Sequence, residues 1–141
     1  MFVNFSNHPS EKWPKKQIAA ASAYGQIRDV PFPVVPANAD EILIESLADE
    51  SVEKILSAIR EESDNASQGE DASVQEVHAV MAQGEFTLTF CVVQKLIARG
   101  ITVLSACSER SVRERVSEDG KMVKEVQFGF VRFRKYRMPE P

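Results

Sequence analysis

The stretch 77–110, VHAVMAQGEFTLTFCVVQKLIARGITVLSACSER, decides the fold. Its opening apolar run predicts a buried strand over 77–81, and Gln83-Gly84 predicts a turn. A helix is expected over 85–99, stopped by Gly100. The next apolar run predicts a second buried strand over 101–106. Strand, helix and strand make a β-α-β unit. Strands that are apolar on both faces require a parallel sheet covered on both sides, because neither face reaches water. Ligands of such sheets sit beyond the carboxyl ends of the strands. Function is therefore expected in two loops, Gln83-Gly84-Glu85 and Ser105-Ala106-Cys107-Ser108-Glu109-Arg110.

Upstream, 1–5 alternates and is rich in Phe and Val, which predicts a strand, and Ser6-Asn7-His8-Pro9-Ser10 is a polar loop. Ser10 and Pro14 suit a helix start, and the Ala-rich segment 15–24 ends at Gly25. A short strand is expected over 26–32, closed by Pro31, Pro33 and Pro36. Segment 39–62 places Ile42, Leu43, Leu47, Val52, Ile55, Leu56 and Ile59 at helical spacing, which predicts an amphipathic helix with a break near Asp49-Glu50. Segment 63–73 is acidic and aperiodic, so a mobile surface loop is expected there.

Downstream, 112–117 alternates, Glu118-Asp119-Gly120 turns, and a strand returns over 122–136. A bulge is expected at Gly129, putting Val131 and Phe133 on the core face. The expected fold is α/β: a small Rossmann-like three-layer sandwich with a mostly parallel sheet and a C-terminal β-hairpin. A single domain over 1–141 is expected.

A chain of 141 residues, 43% hydrophobic and 27% charged, has the composition of an ordinary globular domain. Cys91 and Cys107 are too few for a disulfide framework and lack metal-ligand spacing, so a cytoplasmic protein without metal or cofactor is expected. No basic leader and no apolar run of about 20 residues points to export or to a membrane. The net charge of −4 is uneven: segment 1–109 holds 8 Lys+Arg and 16 Asp+Glu, whereas 110–141 holds 9 and 5. An acidic body argues against duplex DNA, while a basic C-terminal strand suits a small polyanion or simply a solvated face.

His8, in a polar loop at a strand end, is the candidate for proton transfer or phosphate binding, and equally reads as an exposed loop histidine; His78 reads as a satisfied residue of a buried strand. Arg110, just past a predicted central strand with Ser105 and Ser108 before it, is placed to pair with a phosphate; equally, Glu109 and Arg110 can pair with each other at the start of the hairpin. Gly84 before a helix offers backbone N–H groups to an anion, but Glu85 would repel one and also reads as a first-turn acid. No Walker loop, Gly-x-Gly-x-x-Gly or Ser/His/Asp spacing is present.

Gln83-Gly84-Glu85-Phe86, Ser105 to Arg110 and the terminal Val131-Arg132-Phe133-Arg134-Lys135-Tyr136 resemble motifs of small CRISPR-associated proteins related to the CARF (CRISPR-associated Rossmann-fold) domain. Those motifs read Gln-Gly-Asp-Phe, Thr-Thr-Glu-Arg and Val-Arg-Phe-Arg-Lys-Tyr. Asn7-His8 is similar to the Asn-His loop of that group. The resemblance covers about 80–137, is faint over 1–36 and stops over 38–74. Glu85 stands where the group has Asp, and Cys107-Ser108 where it has Thr-Thr.

The resemblance implies a ring nuclease that binds and cleaves the cyclic oligoadenylate messenger of type III CRISPR antiviral signalling, as a homodimer and without a metal. The alternative is a sensor or sequestering protein that binds the ring without cleaving it. Carried over residue by residue, it implies His8 and Arg110 as catalytic groups. The implied binding groups are Asn7, Ser10, Gln83, Gly84, Glu85, Thr87, Ser105, Ser108 and Glu109.

Overall fold

The structure is a computed structural model that describes residues 1–66 and 77–140. Its elements run β1 (Phe2–Ser6), a 3-10 turn (Ser10–Lys12), α1 (Lys15–Ser22), β2 (Ile27–Pro31), α2 (Glu41–Ala66), β3 (Ala79–Ala82), α3 (Phe86–Ala98), β4 (Thr102–Val116) and β5 (Met122–Lys135). The five strands form one sheet in the order β2-β1-β3-β4-β5. The first four are parallel, and β5 runs antiparallel to β4. This is the expected Rossmann-like sandwich with a C-terminal hairpin.

The alternation of β1 fills two cores. Phe2 joins Ala79, Met81, Leu104, Trp13 and Ala21 under α1. Val3 and Phe5 join Val80, Ala82 and Val103 under α2 and α3, which supply Ile44, Val52, Ile55, Leu88, Val92 and Leu96. Lys95 also ties α3 to α2, with its ammonium 3.0 Å from Asp49 and 3.3 Å from Glu45. From β1 the chain steps outward to β2 over one face and returns to β3 over the other. Strand order therefore reverses at β1, where an open α/β sheet forms a crevice.

Several expectations need correction. Helix α2 is continuous through Asp49-Glu50 and runs to Ala66. The apolar spacing that carries Ile44, Ala48, Val52, Ile55 and Ala58 onto one buried stripe is unbroken there. The expected mobile loop 63–73 thus begins inside a helix, and its remainder lies outside the described residues. His78 falls just before β3 and is only half buried.

The largest correction concerns 105–110, which is not a loop. β4 continues through it to Val116, and the sheet has five strands because β4 is itself the first strand of the hairpin. Only Thr102, Val103 and Leu104 pair with β3. Beyond them β4 has a partner on one side only, β5, which extends the ladder to Val116↔Met122. The antiparallel ladder supplies partners for backbone groups that a loop would have given to water.

The ribbon closes at Ser117 and Lys121, with Gly120 at φ +80°, a conformation that glycine adopts without a Cβ clash. The bulge lies past Gly129. Cys107 pairs with Arg132 and Ser108 with Phe130, leaving Val131 as the extra residue. Phe130 and Phe133 consequently turn to the α1 side with ring centroids 4.9 Å apart, while Val131 stays 45% exposed rather than entering the core.

Candidate functional site

The loop after β1 is fixed by buried polar groups. Asn4, in the middle of an otherwise apolar strand, donates from Nδ2 to the His8 carbonyl at 2.8 Å and to Asp29 Oδ1 at 3.0 Å. Its Oδ1 accepts from Ser6 Oγ at 2.6 Å, and the His8 N–H donates to that same hydroxyl oxygen at 3.2 Å. Trp13 Nε1 also donates to the His8 carbonyl, and Asp29 Oδ2 accepts from the Ser10 N–H. The bonds in this set that reach His8 use its backbone N–H and carbonyl, and none of them uses its imidazole.

His8 lines a cleft of about 490 Å³ between the start of α1 and the carboxyl ends of β1, β3 and β4. Pro9, Lys12, Trp13 and Gln17 form its α1 wall, Met81 and Gln83 its floor, and Ala106, Ser108 and Phe128 the side of the ribbon. Gln83 Oε1 accepts from the Ala106 N–H at 2.8 Å, which joins the floor to β4 where the β3–β4 ladder stops. The cleft combines one imidazole, one ammonium, two aromatic rings, two amides and a hydroxyl. Side chains of these kinds can stack on a flat ring, hydrogen-bond a polar edge and make charge-assisted contact with an anion.

Of the residues implied from sequence, His8, Gln83 and Ser108 meet in this cleft. Asn7, Ser10, Gly84, Glu85, Thr87, Ser105, Glu109 and Arg110 are not among its lining residues. Alternation along β4 puts Ser105 and Glu109 on the face opposite Ser108. Arg110 shares the Ser108 face and pairs across the ladder with Phe128, with no strand-end loop to carry it inward. Gly84 serves packing: a Cβ there would lie 2.4 Å from the ring of Phe32, itself stacked near Phe5 at 4.8 Å.

Glu85 is the N-cap of α3, accepting from the Thr87 N–H at 3.0 Å and the Leu88 N–H at 2.8 Å, and from the Thr87 hydroxyl. The helix thus spends its N-terminal donors on its own carboxylate rather than on a bound anion. Thr87 lines a separate groove of about 400 Å³ between the starts of α2 and α3, with Ile44, Phe86 and Phe90.

The hydrogen bond from the Thr87 hydroxyl, then the N–H groups of Leu88 and Thr87, hold the Glu85 carboxyl below the usual carboxylate range. Because the folded pKa lies below the unfolded one, this stabilisation is complete above the unfolded value and is lost as pH falls through the folded value. Glu85→Ala should therefore cost about 1 kcal/mol at neutral pH, the usual loss for a helix cap, with the gap to wild type closing in acid. Urea denaturation at both pH values checks this, and an equal gap at both would reject the capping account.

Sequence reasoning missed Lys12, Trp13, Gln17 and Phe128. Gln17 carried a signal: it interrupts the buried face of an Ala-rich helix, where Ala21 is wholly buried one turn on. Asn4 carried another, as an amide inside Phe-Val-Asn-Phe-Ser. A polar side chain left without a partner in such a place costs roughly 1–3 kcal/mol, so its presence points to a bond that matters.

A family model matches residues 1–134, from β1 into the last turn of the β5 ladder. The chain belongs to the uncharacterized protein MJ1673 family. All the lining residues of the cleft, and the β4–β5 ribbon except Lys135, fall within the span matched to the MJ1673 family. No curated protein and no solved structure matches the chain. Among the described residues no group of three or more His, Cys, Asp and Glu side chains is placed to hold a metal ion, and no helix is long and apolar enough to cross a membrane.

Proposed function

We propose that this protein binds a cyclic oligoadenylate in the cleft beside β1, β3 and β4 and opens the ring without a metal. The convergence of His8, Lys12, Gln83 and Ser108 with Trp13 and Phe128 in one cleft at the strand ends carries this reading. Such a ring is a single-stranded polyanion, and stacking platforms beside a cation are the general solution for binding one. The reaction uses the ligand's own nucleophile. A ribose 2′-OH loses its proton to a base and attacks the adjacent phosphorus, the bond to the 5′-oxygen breaks, and that oxygen takes up a proton. The products are a 2′,3′-cyclic phosphate and a 5′-hydroxyl.

His8 serves as the base or acid, Lys12 balances phosphate charge, and the site acts by holding the attack in line. Incubation with labelled cyclic tetra-adenylate in excess EDTA tests this. Linear products ending in 2′,3′-cyclic phosphate are expected, and absence of binding would overturn the reading. A binding protein without turnover is the second reading. It is favoured by the presence of a single imidazole among the lining residues, since ring opening uses a base and an acid whereas binding needs neither.

The same reading takes the protein as a homodimer. Beyond Leu104 the ribbon has only two strands, and a free two-stranded hairpin is marginal in water. Beyond the cleft, one of its faces carries Val112, Val126, Val116 and Met122, all exposed. A second copy covers that face through an isologous contact and suits a ring that is itself symmetric. Light scattering at micromolar concentration should give twice the 15.7 kDa chain mass. Val126→Glu should give the single mass, and a monomeric wild type would exclude the dimer.

A further inference from the structure

We propose that Gln17 is the residue by which the cleft selects adenine. This rests on the reading above that the cleft takes a cyclic oligonucleotide. Gln17 lines the cleft and is only 9% exposed, yet its side-chain amide forms no hydrogen bond within the described residues. It sits on the inward face of α1, between Trp13 before it and the buried Ala21 after it. The neighbouring amide of the cleft, Gln83, is already bonded to β4 through its oxygen. Gln17 is thus an amide held ready with both its acceptor and its donor unused.

An amide offers one acceptor and two donors in a plane. That pattern complements the N6 amino group and N7 of adenine in a bidentate pair. Phe128, on the opposite wall and largely exposed, supplies a ring face on which the same base can stack. Hypoxanthine differs from adenine at this edge in one respect: a carbonyl oxygen replaces the amino group. It presents two acceptors where adenine presents a donor and an acceptor, so the bidentate pair cannot form. Sugar, phosphates and ring size are unchanged.

The test is to titrate cyclic tetra-adenylate and cyclic tetra-inosinate into wild type and Gln17→Leu by calorimetry, with the melting temperature of each protein measured alongside. The wild type should prefer the adenine ring by about 5- to 150-fold, the discrimination of one good bidentate pair. Gln17→Leu should bring the two rings within about twofold of each other while its melting temperature holds, since the amide opens to the cleft and no hydrogen bond within the described residues is lost with it. A preference that survives in Gln17→Leu would overturn the assignment and leave the nucleotide reading standing. So would a wild type that binds both rings equally. A wild type that binds neither ring would overturn both. A lower melting temperature of Gln17→Leu with discrimination intact would mean that Gln17 is a packing residue.

Discussion

His8→Ala is expected to slow ring opening by about 10²- to 10⁴-fold, the usual contribution of a positioned acid or base, while affinity for the ring changes little. The substitution is clean because the loop does not depend on the imidazole. The His8 carbonyl is held by Asn4 and Trp13, and its N–H by Ser6, so the backbone keeps its path when the ring is removed. His8 is an exposed residue, and its loss should leave stability within about 0.5 kcal/mol of wild type. Single-turnover cleavage in EDTA, beside a binding titration, separates the two effects. Lys12→Ala is the natural comparison, since loss of a cation against phosphate lowers affinity in a salt-dependent way rather than the chemical step alone. A His8→Ala protein that cleaves at the wild-type rate would remove His8 from the chemistry and favour another base.

The β-α-β core was legible because its signals are local. All four residues of β3 are buried, Val103 and Leu104 of β4 are buried beside them, Gly100 ends the helix between the strands, and Asp119-Gly120 marks the hairpin turn. What escaped was set by distant partners. Ser105, Cys107, Ser108, Glu109 and Arg110 read as a strand-end loop because their polarity matches one. They form a strand because β5 returns alongside them. That single difference moved Ser105, Glu109 and Arg110 off the cleft and brought in Phe128, the cross-strand partner of Arg110.

Lys12, Trp13 and Gln17 escaped for a related reason. Their local pattern, a 3-10 turn leading into a short helix, says nothing of how that helix leans over the strand ends. The motif Gln83-Gly84-Glu85 was found, but two of its residues act within the fold: Gly84 makes room for Phe32, and Glu85 caps α3. A glycine-containing turn before a helix is thus an anion site only where no side chain has already taken the helix donors.

Asn4→Ala is the substitution expected to link stability and the site most directly. The side chain is 1% exposed and joins three groups: the His8 carbonyl, the Asp29 carboxylate and the Ser6 hydroxyl. Truncation leaves all three short of a partner. A buried group left so costs roughly 1–3 kcal/mol, but the exposed Asp29 and His8 recover part of their loss from water. A net destabilisation of about 3 kcal/mol in urea denaturation is expected. The loop that carries His8 should loosen as well, so cleavage should fall further than stability alone accounts for, in conditions where the variant is still folded. Asp29→Asn keeps one acceptor oxygen, which serves either Asn4 or the Ser10 N–H but not both because the two donors use different carboxylate oxygens. It should cost less than Asn4→Ala, since both donors sit beside an exposed side chain. If Asn4→Ala were as stable as wild type, its bonds would be incidental to the loop. If it were unstable yet cleaved at the wild-type rate while folded, the geometry of the His8 loop would not limit the reaction.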